Sequence, residues 1–552
     1  MNISDYIIDV LASRGVTHVF GYPGAAILPL MGAIDRHPKM EWVLMRHEGS
    51  ASLAASMEAR LTGKLAVCMA SSGPGATNLL TGLFDAHLER SPVLVLTGLV
   101  PTWASSREGF QDIDQTQLTR PLVPRSLNCI HPDQVPLVMR DSIGEAEQQR
   151  IACHLALPLD IQSVEIDETD ARFKSREIPE PLRLQPPPAV AFDVVAADLS
   201  KLDDIVIVVG SRALGAGEQI EVLATKLKAP IISALDAKGI IDDSHPCALG
   251  VMGIFGSPGV ESANRILGRA KAILAIGVDN IAPFVMGKSG EQERILFQCE
   301  PDFSSISHRF KRERTLVGPV AVVAQELSSR ITGERSSALT EEAAKLRALE
   351  ITSVDAEFTG PSYADPIHVM RKISGRLGAG GVVVTDVGES TIWAAKFMHF
   401  TERQRLLASN VMGVMGIALP GAVAVKLKSP DSQVVATCGD GSFQMSLAEV
   451  MSAVQAQTHI VILLFHNTRL QRVAAQQTSP FGTQIVNPDF MKFAEACGIG
   501  GAVIDGDTDI DAVLDEAFAP SNKPFLIDCR LHPNLKVPMT KSNDDFIPMN
   551  FG

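Results

Sequence analysis

Several features that assign a protein to a specialised class are missing from this 552-residue sequence. The eight cysteines are scattered without a CxxC pair, which argues against disulfides and zinc sites and favours reduced thiols in a cytoplasm. No apolar run approaches the roughly 18 residues of a membrane span. The N-terminal stretch MNISDYIIDVLASRG lacks a basic region followed by an apolar one, so we expect no signal peptide and a cytoplasmic location.

Positive charge is also scarce. The sequence has 49 Lys and Arg against 63 Asp and Glu, which gives a formal net charge of -14. This balance argues against a general nucleic-acid-binding protein and against binding to anionic membrane surfaces. Any anionic substrate therefore has to be held by local groups.

The sequence is long and rich in apolar residues. With 46% apolar and 20% charged residues it is globular, and its length predicts about three domains. Short apolar strands alternate with helical patterns, which predicts an α/β fold of three doubly wound parallel-sheet domains. Proline and charge cluster at 167–189 and 331–350, and these stretches would separate domains at 1–170, 190–332 and 355–535. The tail, 536–552, lacks periodicity and would be a lid or a frayed end.

The most informative motif lies between residues 434 and 467. The apolar strand VVATC runs into Gly439, Asp440, Gly441 and Ser442, and a helical stretch and a second apolar strand then lead to Asn467. Two parallel strands joined by a helical crossover end at the same edge of their sheet, so Asp440 and Asn467 can meet there. A turn is the alternative, because Asp-Gly is a common turn dipeptide. The strand, helix, strand and asparagine together favour a binding site.

Magnesium and a diphosphate suit this motif. Mg²⁺ takes about six oxygen ligands, often a few from protein and the rest from phosphate and water. The Asp440 carboxylate, the Asn467 amide oxygen and the backbone carbonyl of Arg469 would supply three. The two flanking glycines let the backbone approach a phosphate, and Ser442 begins a helix whose N-terminus attracts anions.

A second candidate lies in the first domain. Glu48 follows the apolar strand WVLM, and loops with Gly, Pro and Ser follow the neighbouring strands. A glutamate at a strand end that faces a pocket is suited to share a proton with a ligand nitrogen. A surface ion pair with Arg46 is the alternative.

Several motifs, in order along the chain, resemble the acetolactate synthase and pyruvate oxidase branch of the thiamine diphosphate (ThDP) enzymes. They cover most of the chain: FGYPG, RHE, SSGPGATN, FQDID, DVG with TIWAA, MGVMGIALP, and GDG followed 27 residues later by an asparagine. His466 stands where the family usually has the first of two asparagines. The resemblance implies three domains: pyrimidine-binding, central Rossmann-like and diphosphate-binding.

The resemblance also implies roles for individual residues. Glu48 would bind N1' of the aminopyrimidine, and Gln111 would help with proton transfer. Met415 would enforce the bent shape of the cofactor, and the Gly413 carbonyl would accept from its 4'-amino group. Further cofactor contacts would come from Pro74, Asn78, Val387, Gly388 and Glu389. In the family the cofactor lies between two subunits, so a homodimer is the smallest expected active unit and a homotetramer is compatible.

By this resemblance the chain decarboxylates pyruvate or a similar 2-oxo acid and transfers the acyl-anion equivalent to a carbonyl acceptor, as a carboligase of the transferase class. A flavoenzyme of pyruvate oxidase type that forms acetate, a 2-hydroxy ketone lyase and a catalytically silent partner subunit are the alternatives. The stretch VPTWASSREGFQDID lacks the His-His pair of the decarboxylases, which favours ligation or oxidation over simple release of an aldehyde.

Three departures set the chain apart from biosynthetic acetohydroxyacid synthases. RPLVPR at 120–125 lacks the usual Lys, IGVDNI at 276–281 lacks the usual Arg, and TRLQRVAAQQ after Asn467 lacks a tryptophan. We therefore expect either an unusual acceptor or an acceptor carboxylate bound by Arg469, Arg472 or Arg125.

Flavin remains open at this point. The middle domain has a strand and glycine turn, DIVIVVGSRALG, followed by PIISAL and GVMGIFGSPG. Flavin members of the branch bind FAD in comparable loops, but non-flavin members keep the same middle fold. A lone glycine turn after a strand is more often a connection than a nucleotide site.

Overall fold

The computed structural model describes residues 1–176, 178–180, 185–252, 260–279, 295–306, 314–332, 337–347, 351–401 and 403–538. Within these ranges the chain forms three six-stranded sheets, and every strand pairing is parallel. The expected α/β class with three parallel-sheet units is confirmed. The domain boundaries 1–170, 190–332 and 355–535 stay predictions.

The first unit contains strands in the order β2-β1-β3-β4-β6-β5. The strands are β1 His18–Gly21, β2 Glu41–Leu44, β3 Ala66–Ala70, β4 Val93–Leu99, β5 Arg125–Asn128 and β6 Ala152–Pro158. The helices are α1 Ile3–Ser13, α2 Leu28–Arg36, α3 Glu48–Thr62, α4 Pro74–Asn78, α5 Leu80–Leu88, α6 Gln115–Thr119, α7 Val135–Gln149, α8 Leu159–Gln162 and α9 Ala171–Lys174. β3, β4 and β6 are buried along their whole length, as expected for parallel strands covered on both faces.

The middle unit has the order β12-β11-β10-β7-β8-β9. Its strands are β7 Ile205–Val209, β8 Ile231–Ser233, β9 Ala248–Val251, β10 Ala272–Ile276, β11 Ile295–Glu300 and β12 Thr315–Val317. Its helices are α10 Ala189–Ser200, α11 Gly217–Leu227, α12 Glu261–Arg269 and α13 Val320–Arg330, and α14 Ala338–Arg347 follows them. Parts of the proposed flavin loop (253–259) and of the IGVDNI segment (280–281) lie outside the described residues.

The third unit has the order β14-β13-β15-β16-β18-β17. Its strands are β13 Val382–Thr385, β14 Arg405–Ala408, β15 Val434–Gly439, β16 Val461–His466, β17 Gly500–Ile504 and β18 Phe525–Arg530. Its helices are α15 Pro366–Arg376, α16 Glu389–Phe397, α17 Ala418–Lys428, α18 Asp440–Ser446, α19 Glu449–Gln455, α20 Gln471–Ala474, α21 Phe490–Ala496 and α22 Ile510–Ala517. The expected tail is described only as far as residue 538.

The first and third units share one hydrophobic core. Helix α3 is rich in Ala and Ser, and it packs against α17, whose Gly421 faces Met57. A Cβ on Gly421 would lie 2.6 Å from the Met57 Cγ, so the helices approach closely only because this position has no side chain. This helix contact joins the first and third units.

The cysteines and the apolar segments agree with the sequence analysis. All eight cysteines are unpaired, and seven of them are buried. None of the helices within the described ranges is long and apolar enough to cross a membrane.

Candidate active site

A cleft opens at the C-terminal edge of the third sheet. Its empty volume, open solvent included, is about 680 Å³. Ten of the residues expected at the cofactor line it: Val387, Gly388, Glu389, Met415, Gly439, Asp440, Gly441, Ser442, Asn467 and Arg469. The structure therefore brings together most of the candidates that lie between residues 387 and 469.

Asp440 lies at the centre of this cleft. It follows β15 directly, and its carboxylate is buried with 2% exposure. Oδ2 accepts hydrogen bonds from the backbone N–H of Thr468 (2.7 Å) and of Asn467 (3.2 Å) and from Asn487 Nδ2 (2.8 Å). Desolvation by burial nevertheless raises the pKa of Asp440, and the hydrogen bonds oppose that shift only in part.

The expected magnesium ligands are neighbours. The paired strands β15 and β16 end side by side, so Asp440 and Asn467 meet at one edge. Asn467 is 9% exposed and its Oδ1 accepts from the Arg469 backbone N–H at 3.1 Å. The Arg469 guanidinium donates to Asn534 Oδ1 at 2.9 Å, and Arg469 forms a backbone bridge with Gln484.

These residues fit a magnesium diphosphate. A buried carboxylate whose pKa is raised by desolvation gains most from a nearby cation. No group of three or more His, Cys, Asp or Glu that could hold a metal occurs in the described part of the chain. A cation at Asp440 would therefore depend on one carboxylate, amide and carbonyl oxygens, and oxygens from phosphate or water, the mixed ligand set that Mg²⁺ accepts.

Two glycines lie in the cleft, and the backbone conformation of one of them requires glycine. Gly388 has φ +130°, a conformation that side chains rarely adopt, and it precedes α16. A Cβ on Gly441 would lie 2.5 Å from Leu470 Cδ2. Both positions leave backbone exposed towards the cleft, as a close approach to phosphate requires.

The first-domain candidates form a second cluster. Glu48 begins α3, where the His47 side chain caps the helix by accepting from the Gly49 N–H, and Asn78 Nδ2 donates to Glu48 Oε2 at 2.9 Å. Gln111 has φ +60°, and its Oε1 accepts from Ser72 Oγ at 3.3 Å.

Pro74 begins helix α4, which ends at Asn78, so it belongs to the same edge of the first sheet. Glu48, Pro74, Asn78 and Gln111 are not among the residues that line the cleft of the third unit. Within one chain the candidates thus form two half-sites.

Comparison with known proteins decides the family. Three models match: the N-terminal TPP binding domain of the thiamine pyrophosphate enzymes at 1–118, their central domain at 192–327 and their C-terminal TPP binding domain at 386–529. The chain belongs to the thiamine pyrophosphate enzyme family. It is an enzyme that uses thiamine pyrophosphate, the same compound as ThDP.

Relatives of the chain include acetolactate synthases and a pyruvate oxidase. A probable acetolactate synthase large subunit of Methanocaldococcus jannaschii is 29% identical over 98% of this chain and 93% of its own length. The acetolactate synthase isozyme 1 large subunit of Escherichia coli is 27% identical over 97% and 94%. The pyruvate oxidase of Lactiplantibacillus plantarum is 26% identical over 97% and 89%. The chain is therefore a thiamine pyrophosphate enzyme of this branch.

Glu389 of this thiamine pyrophosphate enzyme lies in the cleft but turns to the C-terminal segment. Its Oε2 accepts from the Val537 N–H at 3.0 Å, and Lys396 Nζ donates to the Pro538 carbonyl at 2.7 Å. Burial raises the pKa of Glu389, although Arg472, Lys396 and Lys536 lie near enough to oppose the shift.

The loop that carries Met415 is held by the first unit. Met415 lines the cleft, whereas Gly413, with φ +69°, is not among the lining residues. Asp85 Oδ1 accepts from Ser409 Oγ at 2.6 Å, and Glu89 Oε1 accepts from the Val411 N–H at 2.6 Å. Burial raises the pKa of Glu89 to about 7, so this carboxylate is destabilised in its charged form.

Sequence reasoning missed Asn487 and gave no role to Asp386. Asn487 reaches Asp440 from the segment between α20 and α21 and is held by Gln444 Nε2 at 2.7 Å. No sequence signal marks it. Asp386, quoted only as part of DVG, accepts from the Ala418 N–H at 2.8 Å, and burial raises its pKa to about 6. It thereby fixes the start of α17 beside the cleft.

The departures from the family pattern have structural counterparts. His466, in place of an asparagine, pairs through Nδ1 with Asp528 Oδ1 at 2.8 Å. Arg469 and Arg472 line the cleft. Arg125, the third cation considered for the acceptor, instead pairs with Glu145 at 3.1 Å.

The glycine turn of the middle unit packs closely against its own sheet. A Cβ on Gly210 would lie 2.2 Å from the Gly277 carbonyl oxygen. The Arg212 side chain, 2% exposed, pairs with Asp279 and Asp302. FAD binding by this unit stays a prediction.

Proposed function

We propose that this thiamine pyrophosphate enzyme decarboxylates pyruvate or a similar 2-oxo acid and transfers the acyl-anion equivalent to a carbonyl acceptor. The observation that carries the proposal is the buried Asp440 carboxylate in a cleft that also contains Asn467 and the two arginines Arg469 and Arg472. The acetolactate synthases among the relatives support the ligation step.

In this proposal Asp440, Asn467 and the Arg469 carbonyl would hold Mg²⁺ and with it the diphosphate. The cofactor would supply an electron sink for a carbanion next to a carbonyl. Gly388 and Gly441 would let the backbone approach the phosphates, and Met415 would contact the cofactor. These roles agree with the placement of all six residues around one cleft.

Glu48 holds the proton at N1' of the aminopyrimidine in this proposal. Its hydrogen bond from Asn78 orients the carboxylate and leaves Oε1 for the cofactor. Gln111 offers an amide rather than an acid. With few acids near the reacting carbon, protonation is slow and a carbonyl acceptor can compete, which favours ligation over aldehyde release.

An acceptor carboxylate would be bound at the arginine side of the cleft. Arg469 and Arg472 lie beside Leu470 and Gln471 in the lining, so the wall is part cationic and part apolar. Guanidinium groups bind carboxylates through paired hydrogen bonds. A second 2-oxo acid fits such a wall better than a simple aldehyde.

The active unit in this proposal is at least a homodimer. Glu48 does not line the Asp440 cleft of its own chain, so a second chain would complete each site. Exposed aromatic side chains support a covered surface: Phe110, beside Gln111, is 88% exposed, and Phe481 is 86% exposed.

A flavoenzyme of pyruvate oxidase type is the second candidate, and the pyruvate oxidase among the relatives supports it. The carboxylates of Asp279 and Asp302 count against a flavin diphosphate at Arg212, because they already balance the charge of its guanidinium. We therefore propose a reaction that needs ThDP and Mg²⁺ and no flavin.

The test is NMR of the products from ¹³C-labelled pyruvate with ThDP and Mg²⁺, with and without a quinone. Acetolactate or another ligation product without quinone is expected. Acetate that forms only with the quinone would contradict the proposal and establish the oxidase. Protein with Glu48→Gln, run in parallel, measures the background of the uncatalysed reaction.

A further inference from the structure

The loop that carries Glu48 is held by a buried carboxylate of the third unit. Glu449, the first residue of α19, is 1% exposed. Its Oε1 and Oε2 both accept from the Arg46 backbone N–H, each at 3.1 Å. Its Oε2 also accepts from Ser452 Oγ at 2.6 Å. Burying a carboxylate costs free energy, and the hydrogen bonds to Glu449 offset part of that cost.

The same helix holds the Arg46 side chain. Arg46 Nη2 donates to Gln455 Oε1 at 2.8 Å and to the Met451 carbonyl at 3.4 Å. Helix α19 thus binds Arg46 through both its backbone and its guanidinium. The alternative read from the sequence, a surface ion pair of Arg46 with Glu48, is not the contact that this guanidinium makes.

Arg46 is two residues before Glu48, and little freedom remains between them. His47 caps α3 by accepting from the Gly49 N–H at 3.0 Å, and Asn78 holds the Glu48 carboxylate at 2.9 Å. A shift of Arg46 would therefore move the first turn of α3 and the Glu48 side chain with it. Displacements of about 1 Å at reacting groups cost up to about a hundredfold in rate.

We propose that Glu449 is a positioning residue for Glu48, and that through it the third domain of a chain sets the proton-transfer geometry of the first domain of the same chain. This inference rests on the proposed function, in which Glu48 and Asp440 of one chain belong to two different active sites. Helix α18, which begins at Asp440, is followed directly by α19. One continuous segment then links the diphosphate cleft of one site to Glu48 of the other.

The first test uses the homogeneous enzyme. Glu449→Ala should lower kcat and the rate of deuterium exchange at C2 of bound ThDP by about 10- to 100-fold, with the affinity for ThDP and Mg²⁺ unchanged. Glu449→Gln keeps one acceptor oxygen for the Arg46 N–H and should restore part of the rate. Glu495→Ala, which removes an exposed carboxylate from α21, is the matched control and should change the rate little. Loss of cofactor affinity with an unchanged exchange rate would overturn the inference.

The second test separates positioning from a general structural defect. Mixed oligomers of an Asp440→Ala chain and a Glu48→Gln chain, purified through two different tags, should regain activity, because one of their sites is intact. Adding Glu449→Ala to the Asp440→Ala chain, which contributes the working Glu48, should remove most of this activity. Adding it to the Glu48→Gln chain should leave the activity in place.

Equal loss in both placements, or no loss in either, would overturn the inference. If the mixed oligomers with intact Glu449 are inactive, the proposed site between subunits is wrong. The exchange rate of the homogeneous Glu449→Ala enzyme then still decides whether Glu449 positions Glu48.

Discussion

At Asp440, burial and hydrogen bonding shift the pKa of the carboxyl group in opposite directions. Three donors stabilise the charged form through Oδ2, yet desolvation dominates and the pKa is raised. A bound cation would reverse this balance without any change of the protein fold. The proposed Mg²⁺ would therefore supply the counter-charge for this buried carboxylate.

The first prediction concerns Glu48. Glu48→Gln should lower turnover by about 10²- to 10⁴-fold, because the amide cannot exchange a proton with the aminopyrimidine. The Gln side chain can still accept from Asn78, so the fold and the binding of magnesium diphosphate should remain. Steady-state kinetics and titration calorimetry with ThDP measure both effects.

Glu41→Gln, at an exposed position at the start of β2, is the control for that substitution. It changes the net charge equally and should leave turnover unchanged. A Glu48→Gln enzyme that kept most of its activity would show that the proton passes through another group.

The second prediction concerns pH. His154 lies in β6, is 1% exposed and contacts Thr97, Thr119 and Ser126. Burial lowers its pKa to about 4. Its contribution to stability is complete above about pH 6.5 and is lost as the pH falls from about 6.5 to about 4, because the unfolded chain then binds a proton that the folded chain does not.

The loss from His154 amounts to about 3 kcal/mol at most. Thermal unfolding between about pH 7.5 and about pH 4.5 should therefore show a steeper decline for the native enzyme than for His154→Gln. His131→Gln, at an exposed position in the same unit, should follow the native curve. Identical curves for all three proteins would contradict the assignment.

At the level of elements, the packing of α3 against α17 decides how the two half-sites are joined. Helix α3 carries Glu48 at its N-terminus, and α17 follows the loop that carries Met415. Both helices present small residues to each other, and both belong to one hydrophobic core. The sequence pattern of these two segments predicts helices. The small residues on each helix do not indicate which other helix it packs against.

The third prediction tests this contact. Gly421→Ala should destabilise the protein by about 1 to 3 kcal/mol, because its Cβ would lie 2.6 Å from Met57 Cγ in a packed core. Gly144→Ala, at a half-buried position in the middle of α7 where an added Cβ would have no atom within 4 Å, should stabilise by about 0.5 to 1 kcal/mol. Melting temperatures of the two variants should therefore move in opposite directions. A rise for Gly421→Ala would show that α3 and α17 can separate without cost.

At the level of the whole molecule, the separation of Glu48 from the Asp440 cleft predicts an obligate oligomer. The active species should have at least twice the 59.1 kDa mass of one chain, as measured by light scattering during size-exclusion chromatography. On dilution, specific activity should fall together with the mass. A fully active species of one-chain mass would contradict the proposed site between subunits.

The fold class and the grouping of the candidate residues at the Asp440 cleft could be predicted from the sequence. Parallel strands joined by a helical crossover must end at the same edge, so Asp440 and Asn467 were predictable neighbours. Gly388, which has a positive φ, was also predictable, because it belongs to a short motif of neighbouring residues.

Tertiary structure alone decided the contacts that join distant segments. Asn487 reaches Asp440 and Glu449 reaches the Arg46 N–H from segments that carry no motif, and 403 residues separate the latter pair. The rules that govern turns and strand crossovers connect residues within a few tens of positions, so they can be applied to a sequence. Buried polar contacts between distant segments depend on which helices and strands pack together.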